Sequence, residues 1–311
     1  MNSVDPESAH AAVRSWPAER RQAAMLGLLR NPPLFDLEVS GACNVDCSFC
    51  PRTRMSRPGL AMSDETFEAV LRFLPERAVV MCAGLGDALT NPRLETYVAR
   101  LRVRGVSSCI ITNGVLLGPQ RQRSLIDAGI DQIQVSLHGL SDAAYDAIVT
   151  RGGDLQRVIG NLEHLASIRP ASLRVRIDFV RTPENGAELE PVRALADRLG
   201  FALDVRRLHT RGGQVASSRA AGVDGPADSG CGVFTAVTFI TAQGDVLSCV
   251  NDVMGEAILG NVRTSNWADL VARKVEVVRS GAWFPACTAC DDDSRWAILA
   301  RASVDPLGPA P

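Results

Sequence analysis

One lysine, Lys274, serves a chain of 311 residues, so its positive charge is carried almost entirely by arginine. A GC-rich coding sequence accounts for that bias. The formal net charge is only −2, which leaves no basic field for nucleic acid and none for an anionic membrane surface. No run of about 18 apolar residues is present to span a bilayer as a helix. The opening residues, MNSVDPESAH, lack a basic stretch followed by an apolar run, so the sequence predicts no secretion signal and a cytoplasmic protein. Nine cysteines in such a chain argue against a disulfide framework and for metal or redox chemistry. Hydrophobic content of 46% and charged content of 22% are ordinary for a globular protein. The length suffices for one large domain and one small one.

The chain opens with a helical pattern over residues 1–33, ending at Asn31-Pro32-Pro33. A strand–helix rhythm then begins. Strands are predicted at Phe35–Ser40, Val79–Ala83, Ser108–Thr112, Gln132–Leu137, Leu173–Val180 and Ala202–Leu208. Helices are predicted at Asp64–Leu74, Pro92–Arg104, Pro119–Ala128, Leu155–Ser167 and Ala187–Leu199. This alternation implies a parallel sheet in an α/β fold. Six units fit a partial (β/α)6 barrel over residues 34–210 better than a closed eightfold one, with the site at the C-terminal strand ends. Residues 211–229 are rich in Gly, Ser and Ala and read as a linker. Residues 230–311 have a different texture: a hairpin from Val237–Ile240 and Asp245–Cys249, a helix near Trp267–Arg279, and four further cysteines.

Directly after the first predicted strand stands Cys43-x-x-x-Cys47-x-x-Cys50. Cysteine thiolates are the usual ligands of iron–sulfur clusters. Three of them on one short loop can hold three irons of a [4Fe–4S] cube and leave the fourth open. A zinc site, the other common use of clustered cysteines, wants a fourth ligand. In the strands, successive side chains face opposite ways. Phe35, Leu37 and Val39 oppose Asp36, Glu38 and Ser40. Val175, Ile177 and Phe179 oppose Arg174, Arg176 and Asp178, and Leu203 and Val205 oppose Asp204 and Arg206. The apolar faces are predicted to meet the helices and the polar faces to line the lumen. Unpaired buried polar groups are costly, so such a lumen reads either as a set of ion pairs or as a cavity for a polar substrate. Cys82 and Cys109, on central strands, read as small core residues.

The cysteine spacing, with an aromatic residue, Phe49, before the third cysteine, resembles the radical S-adenosylmethionine (SAM) superfamily. Gly84-Leu85-Gly86-Asp87 resembles that family's glycine-rich segment after the second strand, with Asp87 where Glu is commoner. Thr112-Asn113-Gly114 and Val135-Ser136-Leu137-His138-Gly139 resemble segments that border SAM. The resemblance implies a first [4Fe–4S] cluster on Cys43, Cys47 and Cys50. It also implies a SAM site involving Phe49, Gly84, Gly86, Asp87, Asn113, Ser136 and His138, and a ferredoxin or flavodoxin as reductant.

Cys231, Cys249 and Cys287-x-x-Cys290 are similar to the twitch auxiliary-cluster domain, the short form of SPASM, which implies a second [4Fe–4S] cluster on Cys231, Cys287 and Cys290. The size and this layout resemble the radical SAM enzymes that tailor aminoglycosides, epimerases and dehydrogenases among them; a peptide-modifying SPASM or twitch enzyme is the third alternative, against which stand the short segment 1–33 and the lack of a cysteine after Cys290. An epimerase needs a hydrogen-atom donor on the face opposite the abstracting radical. Cys249, at the end of a hairpin strand, is the candidate donor; the same position could instead supply the fourth cluster ligand. A substrate carrying several amino groups would find acceptors in Asp36, Glu38, Asp178 and Asp204. Arg174, Arg176 and Arg206 could neutralise those acids or hold the carboxylate of SAM.

Overall fold

Residues 6–30, 33–216 and 229–304 are described by the computed structural model. Asn31 and Pro32, and residues 217–228 of the expected linker, lie outside the described residues. The strands are β1 (Leu34–Leu37), β2 (Asp46–Cys47), β3 (Val79–Cys82), β4 (Ser107–Thr112), β5 (Gln132–Ser136), β6 (Val149–Arg151), β7 (Arg174–Arg181), β8 (Ala202–Arg207), β9 (Val237–Ile240), β10 (Asp245–Leu247) and β11 (Ile258–Asn261). Nine of them form one sheet in the order β11-β10-β9-β1-β3-β4-β5-β7-β8. From β9 to β8 every pairing is parallel. The fold is α/β, the partial parallel barrel expected from the strand–helix rhythm, with its strand C-termini on one rim.

The outward rows of this sheet explain its stability. Phe35, Leu37, Val80, Cys82, Ile110, Ile133, Val135, Ile177 and Phe179 are all fully or almost fully buried. Each large side chain so buried contributes about 1.5–3 kcal/mol. The helices supply the matching apolar stripes. The helix Asp64–Phe73 starts after Ser63, whose hydroxyl accepts the Thr66 N–H at 3.2 Å, and it buries Phe67, Val70 and Phe73. Phe67 stacks on Tyr97 of the helix Leu94–Val103, with centroids 4.0 Å apart.

The hairpin β9–β10 is not set apart from the barrel. β9 pairs in parallel with β1, with Asp36 opposite Phe239, so the hairpin and β11 extend the barrel sheet beyond its first strand. Local periodicity foretold the hairpin but not this long-range pairing. The helix Trp267–Ser280 covers β9 and the N-terminal side of β1, where Trp267 meets Phe35 at 5.3 Å. Elements beyond those expected are the helix Asp142–Ile148, the two-stranded pair β2–β6, the strand β11 and the helix Ser294–Val304.

Candidate active site

Three devices fix the cysteine loop that follows β1. β2 pairs antiparallel with β6, and the Ser48 N–H donates to the Ile148 carbonyl at 2.8 Å. The Asp46 carboxylate is paired with both Arg52 and Arg151. The Cys50 N–H donates to the Cys47 carbonyl at 3.0 Å, closing a tight turn between those two thiols. All three cysteines are half-buried and free of disulfides. Burial, and then the neighbouring Cys50 and Cys43, push the Cys47 thiol up to about 12, and burial also raises Cys43. Mutually repelling sulfurs in one half-buried loop are the donor set that a cationic iron cluster neutralises.

Gly86 packs the segment after β3 onto this loop. A side chain there would collide with the carbonyl oxygens of Ser40 and Ala42. The Asp87 N–H donates to the Ala42 carbonyl at 2.9 Å. Gly84 adopts φ = 125° and abuts the side chain of Glu38. Asp87 differs from what the resemblance suggests. Its carboxylate is buried and accepts from Leu89 N at 2.9 Å, Thr112 Oγ1 at 2.9 Å, Asn113 N at 2.8 Å and Asn113 Nδ2 at 2.6 Å. Burial raises its pKa, against the pull of these donors. Asp87 therefore orders the end of β4 and aims the Asn113 amide at Asn44 Oδ1, 2.9 Å away, and at Cys43 Sγ, 3.8 Å away. In this arrangement Asp87 is linked to the first cysteine loop through Asn113.

Ser136 ends β5, and His138 follows in the turn. The Val180 N–H donates to His138 Nδ1 at 3.1 Å, which fixes the tautomer with its hydrogen on Nε2. Burial lowers the imidazole to about 4, so it is neutral at physiological pH. Asn185 locks the turn by donating to the carbonyls of His138 and Val180, both at 2.9 Å. The ring meets Phe49 edge-on at 5.4 Å, which brings together two residues expected at the SAM site.

The four candidate substrate acids meet different fates. Glu38 is fully buried and paired bidentately with Arg57, at 2.9 and 2.7 Å, so it is not a substrate acceptor. Asp178 accepts from Arg176 at 2.7 Å, and Asp204 from Arg206 at 2.6 Å. Arg176 also donates to Gln134 at 2.6 Å. Arg174, by contrast, is exposed. Asp36 is the exception. It is 6% exposed, its Oδ1 has no hydrogen-bond partner, and burial lifts its pKa to about 7 against the pull of Arg206 and Arg211. Cys109 shares the Asp36–Met81 row through the sheet register, so alternation turns it to the lumen face, opposite to Cys82. Its position is buried, as a core residue's would be.

The C-terminal cysteines lie near the loops that follow β10 and β8, where Gly212 approaches the Asn251 carbonyl and Ala286. Cys231 Sγ accepts the Phe234 N–H at 3.4 Å, and Cys249 Sγ the Asn251 N–H at 3.5 Å. Asn251 Nδ2 points at Cys290 Sγ, 3.9 Å away, and donates to Asp292 at 3.1 Å. The thiols perturb one another: burial first, then Cys231 and Cys290, push Cys249 far up, and Cys287 acts on Cys231. Among the described residues no three His, Cys, Asp or Glu side chains are close enough to share a single ion. A cube takes one thiolate per iron, so its cysteines stand further apart than the ligands of one ion. N–H donors aimed at sulfur, two buried cations nearby (Lys274 and Arg295) and the soft donor set suit such a cluster. Asp291 and Asp293 anchor the segment to Arg207 at the end of β8, at 2.8 and 3.1 Å. Asp252 accepts from Glu256 N and Ala257 N and shapes the turn after Cys249.

Arg57, Asn185, Asn251 and Asp252 were not foreseen. Each lies in a loop and acts through a partner distant in sequence or through the backbone, which leaves no spacing signature.

No described helix is long and apolar enough to cross a membrane. Residues 37–182 match the radical SAM superfamily. Among curated relatives, the PqqA peptide cyclase of Gluconobacter oxydans is 29% identical over 176 residues, 55% of this chain and 48% of that one. A probable GTP 3′,8-cyclase of Aeropyrum pernix is 32% identical over 201 residues, 60% of this chain and 55% of that one. The chain thus matches about half the length of these relatives. Among solved structures, BtrN in complex with AdoMet and 2-DOIA superposes with a TM-score of 0.59 at 17% identity, over 86% of this chain and 96% of that one. Native anSMEcpe with bound AdoMet gives 0.60 at 14% identity, over 88% and 96%. Cluster loop, strand order and family match converge on one conclusion: this chain carries a radical SAM domain.

Proposed function

We propose that the protein is a radical SAM epimerase that inverts one sugar carbon of an aminoglycoside, converting neomycin C to neomycin B at C-5‴. In this reading residues 34–210 form the radical SAM unit and residues 230–311 the auxiliary-cluster unit. Cys43, Cys47 and Cys50 hold one [4Fe–4S] cluster, and Cys231, Cys287 and Cys290 hold another. When bound, the first cluster and SAM supply the radical that removes a hydrogen atom from one face of the sugar. The residues of the chain do the rest. His138, neutral with its hydrogen on Nε2, offers a donor beside Phe49. Asp36, with an unpartnered oxygen, accepts an ammonium of the substrate. A low-potential ferredoxin or flavodoxin supplies electrons.

The observation that supports the epimerase reading is the place of Cys249: it opens the loop after β10, and its Sγ accepts the Asn251 N–H at 3.5 Å. The loop it begins reaches Arg57 through the Val253 carbonyl, at 3.1 Å, and Cys290 through Asn251. It thus stands between the first cysteine loop and the second. Cys109, a thiol on the lumen face of the sheet, serves as the control.

A second reading, an aminocyclitol or aminoglycoside dehydrogenase, is favoured by the grouping of Cys249 with Cys231 and Cys290, since a fourth ligand would sit there. Turnover of neomycin C in deuterated water separates the two. The epimerase places one solvent deuterium at the inverted carbon. Cys249→Ala should keep both clusters and still form 5′-deoxyadenosine, but lose inverted product, whereas Cys109→Ala should keep it. Loss of auxiliary iron in Cys249→Ala, or no deuterium in wild-type product, moves the assignment to the dehydrogenase.

A further inference from the structure

Lys274, the one lysine of the chain, lies on the helix Trp267–Ser280 and is 1% exposed. Its ammonium donates to the Val237 carbonyl at 2.8 Å and to Thr238 Oγ1 at 2.9 Å, and lies 5.5 Å from the centre of the Phe234 ring. Neither acceptor carries a charge. A buried ammonium without an anion costs several kcal/mol, and the chain could have used a methionine of similar volume. The thiols of Cys249 and Cys231 act on it, and a thiol becomes anionic when it ligates iron. Phe234, under the ammonium, donates its N–H to Cys231, and Val237 heads the strand beside which β10 runs on to Cys249. Burial lowers the ammonium to about 7, and the groups that oppose the drop are Cys249 and Cys231. Arg295, 1% exposed, acts in the same way on Cys231, Cys287 and Cys290.

We propose that Lys274 is the built-in counter-charge of an iron–sulfur cluster on the C-terminal cysteines, setting its reduction potential from behind the sheet. The proposal rests on the auxiliary-cluster reading above and adds to it a positioning and tuning residue. A thiolate-bound cube is anionic in both oxidation states and gains one more negative charge on reduction. A fixed cation nearby stabilises the reduced state more than the oxidised one, so it raises the potential. Water screens poorly here, because Lys274, Phe234 and Cys231 are all buried.

The test uses the full chain carrying Cys43→Ala, Cys47→Ala and Cys50→Ala, so that any remaining cluster is the auxiliary one. Iron content is measured after anaerobic reconstitution, and the midpoint potential by dye-mediated titration followed by EPR. We expect about four irons per chain. Lys274→Met and Lys274→Gln should both lower the potential, and Lys274→Arg should restore it to within error of the parent. A merely structural lysine would leave the potential of folded, cluster-bearing variants unchanged, and that result overturns the proposal. Should Lys274→Met not fold, Lys274→Gln and Thr238→Val, which frees the ammonium from one anchor, give the same readout. Absence of iron from the parent triple variant would instead overturn the auxiliary cluster itself.

Discussion

Removing the Arg57 guanidinium should destabilise this protein more than any surface substitution, and the reason lies in Glu38. That carboxylate has no exposed surface, and its partner's side chain is only 11% exposed. Both carboxylate oxygens accept from Arg57, at 2.9 and 2.7 Å. Arg57→Ala leaves the charge buried and alone, which costs about 3–5 kcal/mol. The lost bond to the Val253 carbonyl adds about 1 kcal/mol. At roughly 2.1 cal/mol/K per residue, a chain of 311 residues unfolds with an entropy of about 0.65 kcal/mol/K. The pair term alone then lowers Tm by about 5–8 °C. Calorimetry and urea titration of the reduced apo-protein measure both figures. Arg57→Lys keeps the charge but loses the fork, so it should fall between wild type and Arg57→Ala. The double variant Glu38→Gln, Arg57→Met removes both charges and should recover most of the loss. A cost for Arg57→Ala within 1 kcal/mol, or strict additivity in the double-variant cycle, would refute the buried-pair argument.

Two further outcomes follow from the lumen. Asp36→Asn should raise KM for an aminoglycoside about tenfold or more, since one charge-assisted hydrogen bond is worth about 1.5–3 kcal/mol. The same change should stabilise the protein at pH 8, because a carboxyl raised to about 7 in the folded state loses stability as pH climbs from its unfolded value through 7; unchanged KM with unchanged stability would remove Asp36 from the site. His138 has the opposite sign of pH dependence. Its folded pKa of about 4 lies below the ordinary 6.5, so its stabilisation is complete above 6.5 and is lost as pH falls toward 4. Between pH 7 and 5 that amounts to about 2 kcal/mol, read as the difference in urea stability slopes between wild type and His138→Gln. Identical slopes would mean that the imidazole titrates normally.

Periodicity made the parallel barrel legible, because an alternation of 2 in the strands and 3.6 in the helices is a local property. The cysteine loop was legible for the same reason: Cys43, Cys47 and Cys50 lie within eight residues. What alternation cannot supply is the partner. It placed Asp36 and Glu38 on one face of β1, yet the structure spends Glu38 on Arg57 and leaves an oxygen of Asp36 unpaired. It likewise could not separate Cys82, facing the helices, from Cys109, facing the lumen, until the register across β3 and β4 was known. Asp87 was recognised by its place after two glycines, but its use as an acceptor for Asn113 depends on β4 lying beside β3. Lys274 stood out by rarity alone. Only the packing of its helix on β9 shows that the single lysine is the one beside Cys231 and Cys249.

The pairing of β9 with β1 bears directly on how an inversion could be accomplished. The first cysteine loop leaves the C-terminal end of β1, while Cys249 follows β10, which runs antiparallel two strands away. The two loops therefore leave one continuous sheet at opposite ends of strands two apart, with about 4.8 Å between neighbouring strands. Dehydrogenation needs reactive groups on one side of a carbon only, with an electron acceptor at any distance that electron transfer tolerates. Inversion needs more, because a hydrogen atom must leave one face and return to the other while the substrate stays still. A rigid sheet carrying a radical source near one strand end and a protonated thiol near another meets that requirement, provided that the sugar bridges them. Asp36 lies on β1 itself, one strand from β9 and two from β10, so in the proposed reading an ammonium held there would fix the substrate close to the first cysteine loop. A shift of β1 by one residue would turn Asp36 away from the lumen, so the proposed anchoring of the substrate depends on the register that β1 keeps with β3 and β9.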